Sequence, residues 1–163
     1  MKASVSDQRS ILDIQKFDLQ ASTLRNKAAT LPEIAEINST TIKHNNVRDL
    51  RIAAETELSD VKRELARAEG DVEQIVTRIE RDEKRLASGT GTPKELEQTQ
   101  HELGTLAARR AELEEVELEI MMRVDGIKER ITALSVEENE LALVIADLNI
   151  RKENALAAIH TEL

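Results

Sequence analysis

The sequence has no cysteine, no tryptophan and no tyrosine, and it has a single phenylalanine, Phe17, among 163 residues. Without cysteine, these residues contain no disulfide bond and no thiolate ligand for a metal ion. Aromatic side chains supply much of the buried area of a globular core, and this chain has almost none. An ordinary globular enzyme domain is therefore not expected.

Long apolar runs are also missing. No stretch approaches the roughly 18 consecutive apolar residues of a membrane span. The first residues, Met1 to Asp7, lack the apolar segment of a secretory signal. We therefore expect a soluble protein with no membrane partner, located in the cytoplasm, where the absence of cysteine fits a reducing compartment.

Charged residues make up 34% of the chain, and most of the rest are Ala, Leu, Ile and Val, a composition typical of long helices and coiled coils. The formal net charge is −9, and residues 89–163 carry 16 Asp and Glu against 8 Lys and Arg. An acidic surface repels phosphate groups, so general binding of nucleic acid along these helices is not expected.

Two long segments carry apolar residues at alternating steps of three and four, which is the spacing of a coiled-coil seam. One runs from Ala54 to Leu86 and the other from Leu96 to Ile159. The short segment between them contains two glycines and a proline. The pattern predicts an all-α fold, a single long antiparallel coiled-coil hairpin spanning residues 1–163. Its parts are arm one at 5–88, the tip at 89–92 and arm two at 93–163.

The tip contains a helix-start signal. Thr92 is placed to cap the second arm, Pro93 takes the first helical position, and Glu95 completes a capping box. A phosphate-binding loop is the alternative, but the Lys-Ser/Thr pair and the preceding strand of such a loop are absent. The candidate tip residues are Gly89, Thr90, Gly91, Thr92, Pro93, Lys94 and Glu95.

Pro32 interrupts the first arm, because proline removes a helical hydrogen bond and clashes with the preceding turn. One interpretation is a kink at 31–33 in a continuing arm; the other is a turn that sends the first helix back. With the tip near Gly91, the second arm passes Glu33 at about Asn149, yet its seam continues to Ile159. Only a first helix that continues supplies a partner there, so we favour the kink.

Residues 38–46 are rich in Asn, Ser and Thr, which compete for backbone hydrogen bonds and weaken a helix. The seam also changes phase here, from positions 31, 35, 38 and 42 to positions 47, 51 and 54. We expect bending or fraying over 38–46, and this segment is a candidate hinge.

Residue types that carry chemistry are present but scattered. His44, His101 and His160 lie far apart, and the acidic run over 112–119 lies on a helix that offers no pocket. We therefore expect no catalytic, cofactor or metal site in this chain.

Basic residues concentrate near the tip. Helical pairing with Glu80, Asp82 and Glu83 accounts for most of this zone, and contact with RNA, DNA or an acidic protein is the alternative. The candidate contact residues are Arg78, Arg81, Lys84, Arg85 and Lys94.

Three segments together carry a family resemblance: Asp7-Gln8-Arg9-Ser10-Ile11-Leu12-Asp13-Ile14-Gln15, Thr30-Leu31-Pro32-Glu33, and Thr92-Pro93-Lys94-Glu95-Leu96 followed by Gln100-His101-Glu102-Leu103. The chain resembles bacterial coiled-coil hairpin proteins that carry a C-terminal four-cysteine zinc ribbon, and the actinobacterial members in particular. The resemblance implies a kinked helical hairpin that acts as a non-enzymatic adaptor. Some relatives are linked to secretion regulation, to a sigma factor or to RNA binding.

The chain departs from that family in one respect that determines whether these residues can bind zinc. The chain has no cysteine, so zinc is expected only if a ribbon lies beyond Leu163 in a longer protein. The predicted function is a scaffold or adaptor for a protein partner of unknown identity. The alternative is a nucleic-acid-binding regulator that uses the basic zone near the tip. A homodimer is left open.

Overall fold

The protein is described by a computed structural model that covers residues 5–162, with side chains from Gln8 onward. Its elements are α1 (Val5–Ala29), α2 (Pro32–Ala87) and α3 (Pro93–Glu162), and these residues contain no strand. The predicted all-α hairpin with a bend near Pro32 is confirmed. Leu163, the predicted last residue of the second arm, lies outside the described residues.

The bend has a local cause. At the end of α1, the Thr30 backbone N–H donates to the Asn26 carbonyl at 3.0 Å, and the Thr30 hydroxyl donates to the same oxygen at 2.8 Å. Leu31 is non-helical and buried, and Pro32 then takes the first position of α2, where no N–H donor is needed. The same proline that ends one helix therefore begins the next.

The chain divides into two compact units, and both contain parts of α2 and α3. The hairpin unit spans Asp49–Leu134 and includes the tip. The other, here called the bend unit, contains the chain up to Arg48 and the segment from Ser135 onward.

In the bend unit, α1 and the start of α2 both run antiparallel to α3. Arg25 and Ala28 line a groove with Leu156 and Ile159, whereas the earlier residue Gln20 lines one with Glu162. The carboxylate of Glu33 lies 3.9 Å from the Arg151 guanidinium. Residues nearer the end of α3 therefore lie beside residues nearer the start of the first arm, as in an antiparallel arrangement. The chain continues past Pro32 in the same direction instead of reversing.

The core of the hairpin unit is a narrow apolar seam. Val61 of α2 packs with Ile120, Val124 and Ile127 of α3, and all four are buried. The partly buried residues packed against this cluster are Leu58, Leu65, Ala68 and Ile131. Burial of each of the four cluster side chains stabilises the fold by about 1.5–3 kcal/mol. Aliphatic side chains alone thus supply a core for an almost aromatic-free chain.

Ion pairs across the two helices accompany this seam. Arg123 Nη1 donates to both carboxylate oxygens of Glu64 at 3.1 and 3.2 Å. Arg130 pairs with Glu57, and Arg78 pairs with Glu102. Each exposed pair contributes only about 0–1 kcal/mol. Their main consequence is specificity, because opposite charges of α2 and α3 meet only when the two helices pack in this antiparallel register.

The segment 38–46 is helical, and its inward positions differ from those expected from the sequence. Helix α2 is continuous through it, so the expected fraying is not found. The predicted inward positions 35, 38 and 42 are exposed, and Ile42 is 61% exposed. The half-buried positions instead include Ile34, Ile37, Thr41 and His44. The predicted positions assume one unbroken helix through Leu31. In the structure a new helix, α2, begins at Pro32, and its inward positions follow a different phase.

Only part of α1 is shielded from solvent. Ala21, Leu24 and Ala28 are half-buried, as the heptad spacing predicts. Ile14 and Phe17 continue the same spacing of three and four residues towards the N-terminus, but they are 59% and 67% exposed.

Within residues 5–162, no helix is both long enough and apolar enough to cross a membrane.

Candidate functional site

The tip begins where α2 ends at Ala87. Gly89 has a φ of 64°, and its N–H donates to the Leu86 carbonyl at 3.1 Å. This is a left-handed residue just past a helix C-terminus, where glycine has no steric penalty. The hydroxyl groups of Ser88 and Thr90 lie 2.8 Å apart across it.

The second glycine is required for a different reason. Gly91 has a φ of 140°, and a Cβ added there would lie 3.2 Å from Glu95 Oε2. A side chain at this position would strain the backbone and press on the carboxylate that caps α3. The turn therefore depends on both glycines.

The start of α3 is closed by the predicted capping box. The Thr92 N–H donates to Glu95 Oε2 at 2.8 Å, and the Thr92 hydroxyl donates to the same oxygen at 3.0 Å. In return, the Glu95 N–H donates to Thr92 Oγ1 at 3.4 Å. These bonds satisfy backbone donors that the helix itself leaves free. The capping contacts are a sufficient reason for a glutamate at position 95, and no bound ligand is needed to explain it.

The same contacts affect the acidity of Glu95. The backbone N–H of Thr92 and then its hydroxyl group lower the pKa of the Glu95 carboxyl; desolvation opposes them, and the charge of Arg85 adds a smaller lowering. Hydrogen bonds donated to a carboxylate favour its charged form. The tip therefore holds Glu95 ionised.

Replacement of Glu95 by Ala is expected to lower the free energy of unfolding modestly at neutral pH. Because the pKa of Glu95 is lowered in the folded protein, its stabilisation is complete above the ordinary glutamate pKa of about 4.3 and is lost as the pH falls through the lowered value. Urea unfolding at several pH values checks this. Glu97→Ala, at a nearby exposed carboxylate, is the control. A deficit for Glu95→Ala that persists unchanged in acid would contradict the capping role.

The structure places the candidate basic residues on both sides of the tip. Arg78, Arg81 and Arg85 are spaced by three and four residues on α2, so they share one helical face. Lys84 lies at the edge of that face, and Lys94 lies in the first turn of α3. All five are exposed.

Among the described residues, only one of these five cations, Arg78, forms ion pairs with acidic side chains. Arg78 contacts Asp82 at 4.0 Å and pairs with Glu102 of the other helix. Within the described part of the chain, the remaining four have no carboxylate within ion-pair distance, although pairing with Glu80 and Glu83 was expected. These four cations are Arg81, Lys84, Arg85 and Lys94. They define a tip surface of unpaired positive charge.

Several polar residues of α3 make hydrogen bonds or ion pairs within that helix. Thr99 is buried, and its hydroxyl donates to the Glu95 carbonyl at 2.9 Å. Lys152 donates to Asn149 Oδ1 at 3.2 Å, and the exposed Arg110 pairs with Glu114 at 2.6 Å. No buried polar side-chain atom in residues 8–162 lacks a hydrogen-bond partner. These contacts form no arrangement that indicates catalysis.

The histidines do not come together either. His44 is half-buried, whereas His101 and His160 are exposed at other places on the helices. No group of three or more His, Asp or Glu that could hold a metal ion occurs within residues 5–162.

One surface was not anticipated from the sequence. Val136, Leu143 and Ile150 of α3 are strongly exposed, and they recur at intervals of seven residues. The signal was present as a second heptad series, out of phase with the inward seam. It was missed because only the phase that pairs the two arms was followed.

The fold defines the chain as a helical scaffold with exposed apolar and basic surfaces, and nothing among the described residues indicates catalysis. The family model for the CT398-like coiled coil hairpin domain matches residues 14–163. The chain belongs to that family.

Similar proteins support this assignment. The "Uncharacterized protein MT2288" and the "Uncharacterized protein Rv2229c", from two strains of Mycobacterium tuberculosis, are each 34% identical to the chain, and the match covers 98% of it. The chain spans 65% of the length of these curated relatives. A solved structure of a protein from Mycobacterium smegmatis is similar over 99% of this chain and 67% of its own, with a TM-score of 0.83 and 26% identity.

Proposed function

We propose that the chain is a non-enzymatic scaffold that binds a protein partner along its helices. The observation that carries this proposal is that large apolar side chains face outward from helices whose seam is already filled. Met122, Leu143 and Ile150 are 69%, 71% and 62% exposed. Single exposed apolar residues are normal, but several on one helix are typical of an interaction surface.

Site-specific photo-crosslinking in the native host tests this function. A photoreactive residue is placed at Leu118, Met122 or Leu143, and at the exposed Lys62 as a control. We expect one discrete heterologous protein, identified by mass spectrometry, at one or more apolar positions and none at Lys62. Failure at every apolar position, or the same products at Lys62, would overturn the scaffold function.

We also propose that this scaffold is the helical part of a zinc-ribbon regulatory protein. The resemblance described above supports this, as does the greater length of the relatives. The chain itself has no cysteine, so its residues cannot form a four-cysteine site. The genomic sequence past Leu163 tests the proposal, because two C-x-x-C motifs and stoichiometric zinc in the longer protein are expected. A reading frame without such motifs would refute it.

A second candidate function is nucleic-acid binding at the tip. The specific observation that favours it is the set of four cations without ion pairs, since unpaired Lys and Arg side chains attract phosphate groups. The acidic helices beyond the tip would confine such binding to this end of the hairpin unit.

The salt dependence of RNA binding tests this second candidate. Four phosphate contacts on a single strand predict a slope of about −3 for the logarithm of affinity against the logarithm of salt concentration. The triple variant Arg81→Glu, Lys84→Glu, Arg85→Glu is expected to abolish binding. The control triple Lys62→Glu, Arg63→Glu, Arg67→Glu changes the net charge equally but lies away from the tip. No binding at low salt, or equal loss in both variants, would exclude the tip as a nucleic-acid site.

A further inference from the structure

The outward face of α3 in the bend unit carries a second apolar series. Val136, Leu143 and Ile150 are 53%, 71% and 62% exposed. The inward seam of the same segment runs through Leu141 and Leu148, of which the latter is 4% exposed. The seven-residue spacing places the exposed series on the side of the helix opposite the seam.

The residues between these positions complete a coiled-coil pattern. With Asn139 and Ala146, the series runs through positions 136, 139, 143, 146 and 150, in steps of three and four. Both added residues are exposed, and Ala146 is small enough to let a neighbouring helix approach closely. A single polar Asn within such a series is a common device for fixing the register of two helices. These five residues are called the outer stripe.

Charge distinguishes the two borders of the outer stripe. Glu140 and Asp147 follow Val136 and Leu143 by four residues, so both lie along one border. They are exposed, and neither has an ion-pair partner within the described residues. The opposite border has Ala142 and Asn149, which are uncharged.

This charge pattern disfavours an antiparallel second copy and favours a basic partner. A second copy packed antiparallel on the outer stripe would bring the acidic borders together, and like charges across a helix pair oppose association. A helix with Lys or Arg beside its own apolar series would instead meet Glu140 and Asp147 with opposite charge.

We propose that the outer stripe of α3 is the docking surface for a basic amphipathic helix of another protein. The proposal rests on the scaffold function and names its surface and the class of its partner. The helix would pack its apolar residues on Val136, Leu143 and Ile150, with its basic residues beside Glu140 and Asp147.

Two synthetic helical peptides test this proposal. Each has Leu at the two seam positions of every heptad; one carries Lys at the flanking positions and the other carries Glu. Fluorescence anisotropy with the full chain is expected to show binding of the Lys-flanked peptide only. Leu143→Glu should weaken that binding by at least about tenfold, because it places a charge at the centre of the surface.

Leu118→Glu is the matched control, since Leu118 is 58% exposed on the same helix but lies outside the outer stripe. It should bind the Lys-flanked peptide as the wild type does. The double variant Glu140→Lys, Asp147→Lys should reverse the preference between the two peptides. Circular dichroism checks that every variant remains helical, which exposed positions allow.

Three results of the peptide and sedimentation experiments would overturn the proposal. The first is equal affinity for both peptides, and the second is binding that Leu143→Glu leaves unchanged. The third is a dimer in sedimentation experiments that Leu143→Glu dissociates, which would assign the surface to a second copy. Crosslinking to a partner from Leu118 or Met122 alone would remove the outer stripe as the docking surface but retain the scaffold function.

Discussion

Replacement of Val124 by Asp is expected to lower the free energy of unfolding by about 4 kcal/mol, because it places a carboxylate in the cluster formed with Val61, Ile120 and Ile127. Val124 is 5% exposed. The cluster is aliphatic and offers no partner for a charge. With a denaturant dependence of about 2 kcal/mol/M, the midpoint of urea unfolding should fall by about 2 M.

Val116→Asp is the matched control for this change. Val116 lies on the same helix and in the same unit, but it is 47% exposed, so its carboxylate would remain hydrated. Its free energy of unfolding should stay within about 0.5 kcal/mol of that of the wild type. Equal destabilisation by the two variants would show that the seam does not supply the core. Urea unfolding followed by circular dichroism distinguishes the outcomes.

A pair of cysteines at Leu86 and Leu96 is expected to form a disulfide within one chain. Both leucines are half-buried seam residues on either side of the tip, and the chain has no native cysteine that could interfere. Closing a loop of about ten residues should stabilise the oxidised protein by about 2–3 kcal/mol relative to the reduced form. Non-reducing electrophoresis and thermal unfolding with and without reductant measure both effects.

The control pair is Leu86→Cys with Leu113→Cys. Leu113 lies on the same seam, but it is displaced from Leu96 by roughly 25 Å along α3 at 1.5 Å per residue. That distance is too large for a disulfide, so this pair should remain reduced within a chain. Cross-links formed only between chains by the Leu86–Leu96 pair would contradict the hairpin.

Much of the fold could be predicted because a coiled-coil seam is a local repeat. Ala54, Val61 and Leu106 follow the heptad spacing, and all three are buried. The start of α3 was equally predictable, since Thr92 and Glu95 make their contacts within one turn of helix. Patterns that are complete within a few residues can be recognised without the partner helix.

Other features could not be predicted because they depend on contacts between helices or on the phase of a new helix. The inward positions of early α2 were misassigned because the heptad was carried across Pro32. The unpaired cations at the tip were unforeseen for a different reason. Arg78 pairs with Glu102 of the other helix, whereas Arg81 and Arg85 have no such partner in the part of the chain that the structure describes. Sequence spacing along α2 alone does not distinguish these three arginines.

The interruption at Thr30 and Leu31 has a consequence for changes in chain length. One residue added within a continuous helix rotates everything beyond it by about 100° and carries the seam away from its partner. Between α1 and α2 the helical phase is already broken, so an insertion or deletion there leaves the seam of α2 and α3 in register. Length variation within this family is therefore expected to concentrate at this interruption and at the tip, where evolution can change the chain without changing which side chains meet.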